Sequence, residues 1–391
     1  MVIEDGEPHP LIVRRITESV GSAAARLLVG RDSDLVARQE AALVAVLREV
    51  VDRVVGGYRV AEVALQAGVV TGVVLRMQPR PPVLGELPTE FVMPAVHAEV
   101  QPLVRAALDR QTPELRRLAD RLPLAALEWA APILEQRAAE IVAAAAPGFG
   151  GAARIQVAPA RLAITVTARD DRVVRDIGVR FRSTSIPYVL LSGHAPQVAS
   201  MAEPLRGLPV VFASAHRADL EALIKRHLDT YPPVREYAVV ARPLLQVAEV
   251  TFITVLAEST LYRGRLEARL NFGTTAPPPD VRATLGRAFG SLEPFAEFTV
   301  VPSNLAFRTV LGMRFELGTR LSVGATTGFD GEGLAPFLTY RLSPDFTLHG
   351  RYASRPTAFE GTISYRLNEF LSWEGVATSN GFVWLRLVSN L

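Results

Sequence analysis

The sequence predicts an α+β N-terminal region followed by an all-β, antiparallel C-terminal barrel of about eight strands. Three observations carry that expectation. Over the first 260 residues, helical periodicity alternates with pairs of strand-like runs, so the order helix–helix–strand–strand recurs. From about residue 262 helical periodicity nearly vanishes and period-two alternation replaces it. In that alternation one phase is apolar and aromatic, and the other is arginine, glutamate and glycine.

The elements follow in order. Residues 11–29 read as a helix. A second helix follows "RDSD", with Ser33 as N-cap, one stripe of Leu35, Ala42, Leu43, Val46, Val50 and Val54, and Gly56 as the stop. Strands are expected at 58–66 and 69–79, and "PRPPVLGELP" (79–88) is a turn-rich crossing. The pattern then returns. Helices are expected at 95–110, from Thr112-Pro113-Glu114, and at 123–146 with a kink at Pro132; "PGFGG" ends the last. Strands follow at 154–158, 161–169 and 176–184. A third set has helices at 194–205 and 215–231, the latter capped by Ser214, and strands at 236–242 and 247–257. The expected domains are therefore 1–80, 88–185, 186–260 and 261–391, the last with a short helix near 280–292 after "TTAPPP".

With 262–272 set aside, strands at 295–302, 307–317, 319–329, 333–342, 345–354, 357–367, 369–379 and 381–390 make eight. Their connections alternate between tight ("LGT", "LSPD", "LNE") and slightly longer ("PSNL", "DGEG", "SRPT", "TSNG"). "YRLSPDF" (340–346) and "YRLNEFL" (365–371) are near-copies, one hairpin per period. In "FRTVLGMRFELGTRLSVGATTGF" (307–329), Phe307, Leu311, Met313, Phe315 and Leu317 share one face, and Arg308, Gly312, Arg314 and Glu316 share the other. Across all strands the polar phase collects a candidate interior charge network of Arg308, Arg314, Glu316, Arg320, Arg341, Arg351, Glu360, Arg366, Glu374 and Arg386, with Arg265, Glu267, Arg269, Glu297 and His349 on the same phase. Small residues between them leave room for long side chains to cross a narrow interior and pair. Strands of this length cross a bilayer at a tilt, and eight close into a barrel whose interior side chains just fill. The apolar phase would then face lipid. A soluble antiparallel sheet packed on the preceding helices alternates in the same way and stays open as the second reading.

Bulk properties narrow the function classes. The chain has 391 residues, of which 49% are hydrophobic and 21% charged, and its formal net charge is +2. That balance gives nucleic-acid binding no electrostatic support. Lys225 is the only lysine. There is no cysteine, which excludes disulfides, thiol catalysis and thiolate metal sites. No apolar run is long enough for a transmembrane helix. The start "MVIEDGEPHPLIVRR" has no basic region followed by an apolar one, so an outer-membrane location implies a leader already removed.

The last hundred residues, with "YRLSPDFTLHGRY" and "YRLNEFLSWEGVA", resemble a small bacterial outer-membrane barrel. The upstream units are similar in element order to POTRA modules, the periplasmic repeats of outer-membrane assembly and secretion proteins. "GYRVAEVALQAGVVTGVVLRMQP" (57–79) is the best local match to a POTRA strand pair. The resemblance implies a barrel anchor in outer-membrane lipid and a periplasmic arm that binds other envelope proteins by strand addition. The family's barrels are about twice as large, and its internal-loop motif has no counterpart here, so insertase activity is not implied.

No motif of catalysis is present: there is no HExxH, GxSxG or P-loop. His216 and His227, eleven apart on one expected helix, read as a solvated face more readily than as a metal site. His349 is expected to hydrogen-bond within the charged interior. "DGEG" reads as a turn and "PGFGG" as a hinge. The expectation is a non-enzymatic protein without cofactor or metal; the alternative is a soluble scaffold whose C-terminal sheet packs internally or between subunits.

Overall fold

The computed structural model describes residues 2–3, 7–66, 71–329, 333–354, 357–368 and 370–391. Most of "DGEG", the centre of "SRPT", the end of "LNE" and the start of the strand expected at 69–79 lie outside the described residues. The chain divides into two compact units, residues 1–174 with 204–216 and residues 175–203 with 217–391.

The first unit opens with β1 (Val2–Ile3), then α1 (Pro10–Leu28), α2 (Ser33–Arg38), α3 (Glu40–Val54), β2 (Tyr58–Gln66) and β3 (Gly72–Pro79). Ile12, Ile16, Val20 and Ala24 of α1 recur every fourth residue and are buried, as are Leu43, Leu47 and Val51 of α3. Asp32, not Ser33, caps α2: its carboxylate accepts the Asp34 N–H at 2.9 Å. The strands form a sheet of order β1-β3-β2, with β1 parallel and β2 antiparallel to β3.

The arrangement repeats with β4 (Thr89–Val92), α4 (Gln101–Asp109), α5 (Thr112–Arg117), α6 (Leu127–Ala145), β5 (Phe149–Val157) and β6 (Ala160–Ala168). Their sheet has order β4-β6-β5, again parallel then antiparallel about its middle strand. Pro132 lies inside α6. The Trp129 indole N–H donates to the Gly56 carbonyl at 2.9 Å.

A third sheet lies in the second unit. It is built from β7 (Asp176–Arg182), α7 (Tyr188–Ser192), α8 (Ala195–Met201), α10 (Arg217–Thr230), α11 (Pro232–Glu236), β8 (Val239–Gln246) and β9 (Val250–Ser259), and its order is β7-β9-β8. The intervening α9 (Val210–Ala215) folds with the first unit, where the Phe212 ring meets Phe149 edge-on at 5.1 Å. Two expectations change here. The strand expected at the end of the second domain pairs in parallel with β9, so it opens the third sheet and buries Ile177 and Phe181. The helix expected over 215–231 is α10, and it starts later than expected: His216 is the C-cap of α9 and leaves helical geometry, so His216 and His227 do not share a helix, and Ser214 lies within α9 instead of capping α10.

Ten strands complete the second unit as a closed antiparallel barrel. They are β10 (Tyr262–Phe272), β11 (Asp280–Arg287), β12 (Leu292–Val301), β13 (Ala306–Leu317), β14 (Leu321–Gly328), β15 (Ala335–Arg341), β16 (Phe346–Ser354), β17 (Thr357–Arg366), β18 (Leu371–Thr378) and β19 (Val383–Asn390). The expected eight becomes ten because 262–272 belongs to the barrel and the helix expected near 280–292 is a strand. β11 pairs with β10 and β12 on both sides, and those two ladders outweigh the helical spacing of Val281, Leu285 and Phe289. β10 pairs with β19 from Glu267↔Asn390 to Phe272↔Leu385, which removes every strand edge from the wall over that height. Among the described residues no helix is long and apolar enough to cross a membrane, which says nothing of strands.

Candidate functional site

The barrel separates its residues by phase. Leu285, Leu311, Met313, Leu338, Ile363 and Leu385 point outward at mid-height and are exposed. Aromatic rings flank them. Phe289, Phe315, Tyr340, Phe346, Tyr365 and Phe370 lie toward the end from which β10 enters; Phe272, Phe307, Phe329, Tyr352, Phe359 and Phe382 lie toward the far end. An apolar band between two aromatic girdles is the surface a bilayer requires.

Inside, the charges are paired. Arg314 Nη1 lies 3.3 Å from Glu293 Oε1, and Arg263 Nη1 lies 3.1 Å from Glu293 Oε2. Arg263 also contacts Glu316. Arg269 Nε donates to Asp280 at 2.8 Å, Arg282 pairs with Glu297 at 3.1 Å, and Arg386 pairs with Glu374 at 3.0 Å while donating to Asn271 at 2.8 Å. Buried charges hold such positions only when paired and hydrogen-bonded. Thr339 and the His349 ring nitrogen are 2.9 Å apart.

Bulky rings fill what remains. Phe295, Phe337 and Trp384 are buried inside the wall. Phe295 and Phe337 meet at 6.2 Å, and the Arg314 guanidinium lies 5.3 Å above Phe295. The inward glycines make this possible. A Cβ at Gly312 would strike the Phe295 ring, one at Gly324 the Phe337 ring, and one at Gly286 would approach Glu293 Oε1 to 2.6 Å. The interior is a packed plug of rings and ion pairs.

Of the residues expected to form the charge network, Arg314, Glu316, Glu374 and Arg386 are brought into the pairs above. Arg351 and Glu360 stand opposite each other in the β16–β17 register, and Arg308 is half-buried on β13. Arg320, Arg341 and Arg366 are exposed at the strand ends beside the tight connections, where the side chains reach water. Four partners went unread in the sequence: Arg263, Asp280, Arg282 and Glu293. Asp280 and Arg282 fell within the expected helix, and their signal is the alternation of Asp280, Arg282, Thr284 and Gly286 on β11.

A step in the wall joins the third sheet to the barrel. β19 ends level with Glu267, so the start of β10 runs past it. The segment between β7 and α7 fills that step. Gly264 N–H donates to the Ser185 carbonyl at 2.6 Å, Leu391 N–H to Leu266 at 2.8 Å, and Tyr188 N–H to the Leu391 carbonyl at 3.1 Å. The Glu258 carboxylate accepts from the Thr184 N–H at 2.8 Å and from the Ser185 hydroxyl at 2.7 Å, which holds the segment from the β9 side.

No protein-family model and no curated protein matches the chain. Among solved structures it is similar to BamA from Haemophilus ducreyi lacking POTRA domains 1-3, at 10% identity over 76% of this chain and 50% of that one, with a TM-score of 0.16. It is also similar to POTRA1-3 of the periplasmic domain of Omp85 from Anabaena, at 14% identity over 66% of this chain and 92% of that one, with a TM-score of 0.21. CdiB from Acinetobacter baumannii aligns at 8% identity over 80% of this chain and 55% of that one, with a TM-score of 0.18. The chain thus spans about half the length of the BamA and CdiB structures it matches. At such TM-scores these likenesses carry no weight for what the chain does. What stands on its own topology is three three-stranded mixed sheets followed in sequence by a closed antiparallel β-barrel.

Proposed function

We propose that this chain is a non-enzymatic outer-membrane protein, anchored by its ten-stranded barrel, whose POTRA-like sheets bind or tether partner proteins in the periplasm during envelope biogenesis. The observation that carries the anchor is the outward belt, apolar at mid-height and aromatic at both ends, on a wall closed all the way round. A closed wall satisfies every backbone group in hydrocarbon. The plugged interior favours an anchor over a pore.

The partner-binding half of the reading rests on strand edges. Each of the three sheets ends its order on a strand paired on one side only, β2, β5 and β8. Val157 of β5 and Val240 of β8 are exposed there. An extended segment of another envelope protein adding to such an edge gains main-chain hydrogen bonds and seats alternate side chains.

The test is detergent-free solubility combined with electrophoresis of boiled and unboiled samples. The anchor reading expects a need for detergent and a faster-migrating unboiled band. A protein that stays soluble and monomeric without detergent, with no heat-modifiable band, overturns it in favour of a soluble scaffold.

A further inference from the structure

We infer that α7 is an interfacial lipid anchor, seating Tyr188, Val189 and Leu190 in the periplasmic leaflet of the bilayer that the barrel crosses. The inference rests on the membrane reading of the barrel and extends it to a part of the chain outside the wall.

Three observations converge. The first is composition: residues 183–193, "STSIPYVLLSG", carry no charged side chain, although 21% of the chain is Asp, Glu, Lys or Arg. A solvated connection between a strand and a helix has no reason to avoid charge over that length. The second is exposure. Tyr188, Val189 and Leu190 are 45%, 52% and 62% exposed, three consecutive apolar side chains left uncovered at the start of one helix.

The third is position. Gly264 belongs to the outward phase of β10, with Leu266, Leu270 and Phe272. A Cβ on Gly264 would meet Pro187 at 2.9 Å, so the residue that starts α7 lies against the outer surface of the wall. The Tyr188 ring meets Phe370 edge-on at 5.7 Å, joining α7 to the aromatic girdle at the barrel's entry end. The uncovered patch is therefore continuous with the lipid-facing belt, at the height of its aromatic rim. Tyrosine beside aliphatic side chains is the composition that settles at the boundary between headgroups and acyl chains. Seated there, α7 would hold the third sheet at a set height on the membrane surface.

The chain has no cysteine, so single reporters can be placed without background. Leu190→Cys, with Val189→Cys as a second position, is labelled with the fluorophore NBD in the full chain. The protein is reconstituted into phosphatidylcholine vesicles containing lipids spin-labelled near the headgroup or deep in the acyl chain. Leu311→Cys in the mid-height belt serves as the reference. The inference expects emission at 190 and 189 to be quenched several-fold more by the shallow label than by the deep one. The reverse order is expected at 311. If 311 is quenched while 189 and 190 are not, the anchor role of α7 is overturned and the barrel stands. Unquenched but blue-shifted emission at 190 also overturns it, assigning the patch to a protein surface. If 311 is unquenched as well, the membrane reading of the barrel falls, and this inference with it.

Discussion

Glu293 accepts from two arginines on different strands, Arg314 on β13 and Arg263 on β10, and its side chain is only 4% exposed. One carboxylate thus bridges two guanidinium groups inside the wall, and Glu316, against Arg263, supplies the second negative charge. Glu293→Gln keeps the shape and removes the charge, leaving both arginines with Glu316 as the remaining anion of that cluster. Breaking a buried pair in this way costs about 3–5 kcal/mol. The expected outcome is a clear fall in the temperature at which the fast-migrating unboiled band is lost. An unchanged transition would mean that the cluster is hydrated and contributes little.

The glycine–ring contacts predict compensation. Gly312→Ala drives a methyl into Phe295, and overpacking of this kind costs about 1–3 kcal/mol. Phe295→Leu alone loses packing, but together with Gly312→Ala it makes room for the methyl. The double variant should be more stable than the sum of the two single effects predicts. Strict additivity in the same heat-modification assay would count against direct contact.

The plug predicts a closed conductance state. The full chain in a planar bilayer should pass no sustained current, and Phe295→Ala with Phe337→Ala should raise conductance well above that baseline, because the two rings that meet across the interior are then gone. Large conductance in the unaltered protein would contradict the packed interior.

In the first unit, Gly57 has φ +89°, and a Cβ there would sit 2.7 Å from the Ala126 backbone nitrogen. Gly57→Ala pays a left-handed backbone cost of about 1–2 kcal/mol and must also displace Ala126. Limited proteolysis of the full chain in rising urea should cut the first unit at lower denaturant than in the parent, with the barrel bands unchanged.

His9 links stability to pH. Its ring accepts the Leu11 N–H at the start of α1 at 3.4 Å, and burial, with help from Arg137, holds its pKa below the usual imidazole value. The folded state therefore binds fewer protons than the unfolded one, and stability falls as pH drops below about 6.5. The contribution is complete above that value and lost progressively through the depressed folded value. Amide exchange in α1 should accelerate between pH 7.5 and 5.5 beyond the intrinsic change. His9→Asn, which can cap but does not titrate, should remove that excess.

The barrel wall was readable because its alternation is long and its two phases differ sharply. Phe307 to Leu317 and Arg308 to Glu316 sort correctly by period two alone. What was missed is short or satisfies two periods at once. β11 spans eight residues, over which Val281 and Leu285 fit both a helix and a strand; pairing with β10 and β12 decides between them. The place of β10 in the wall depends on its closing partner, β19, more than a hundred residues away in the chain, which local alternation does not reveal. β1 and β4 have two and four residues, too few to show any period. In the charge network, alternation placed Arg320, Arg341 and Arg366 on the interior phase, but phase loses its meaning where a strand turns. It missed Glu293 because that residue follows directly on the misread helix.

The far-end connections of the barrel bear on how it enters a membrane. Residues 273–279, 302–305 and 379–382, "GTTAPPP", "PSNL" and "SNGF", are short and carry no ionised side chain. A barrel inserting from the side of its soluble arm must push those connections through the hydrocarbon, where each charge adds about 2.5–3.5 kcal/mol or more to the barrier. On the membrane reading, these three crossings would meet no such charge barrier, whereas the sequences "DGEG" and "SRPT", with Asp330, Glu332 and Arg355, would carry charge across at the other two.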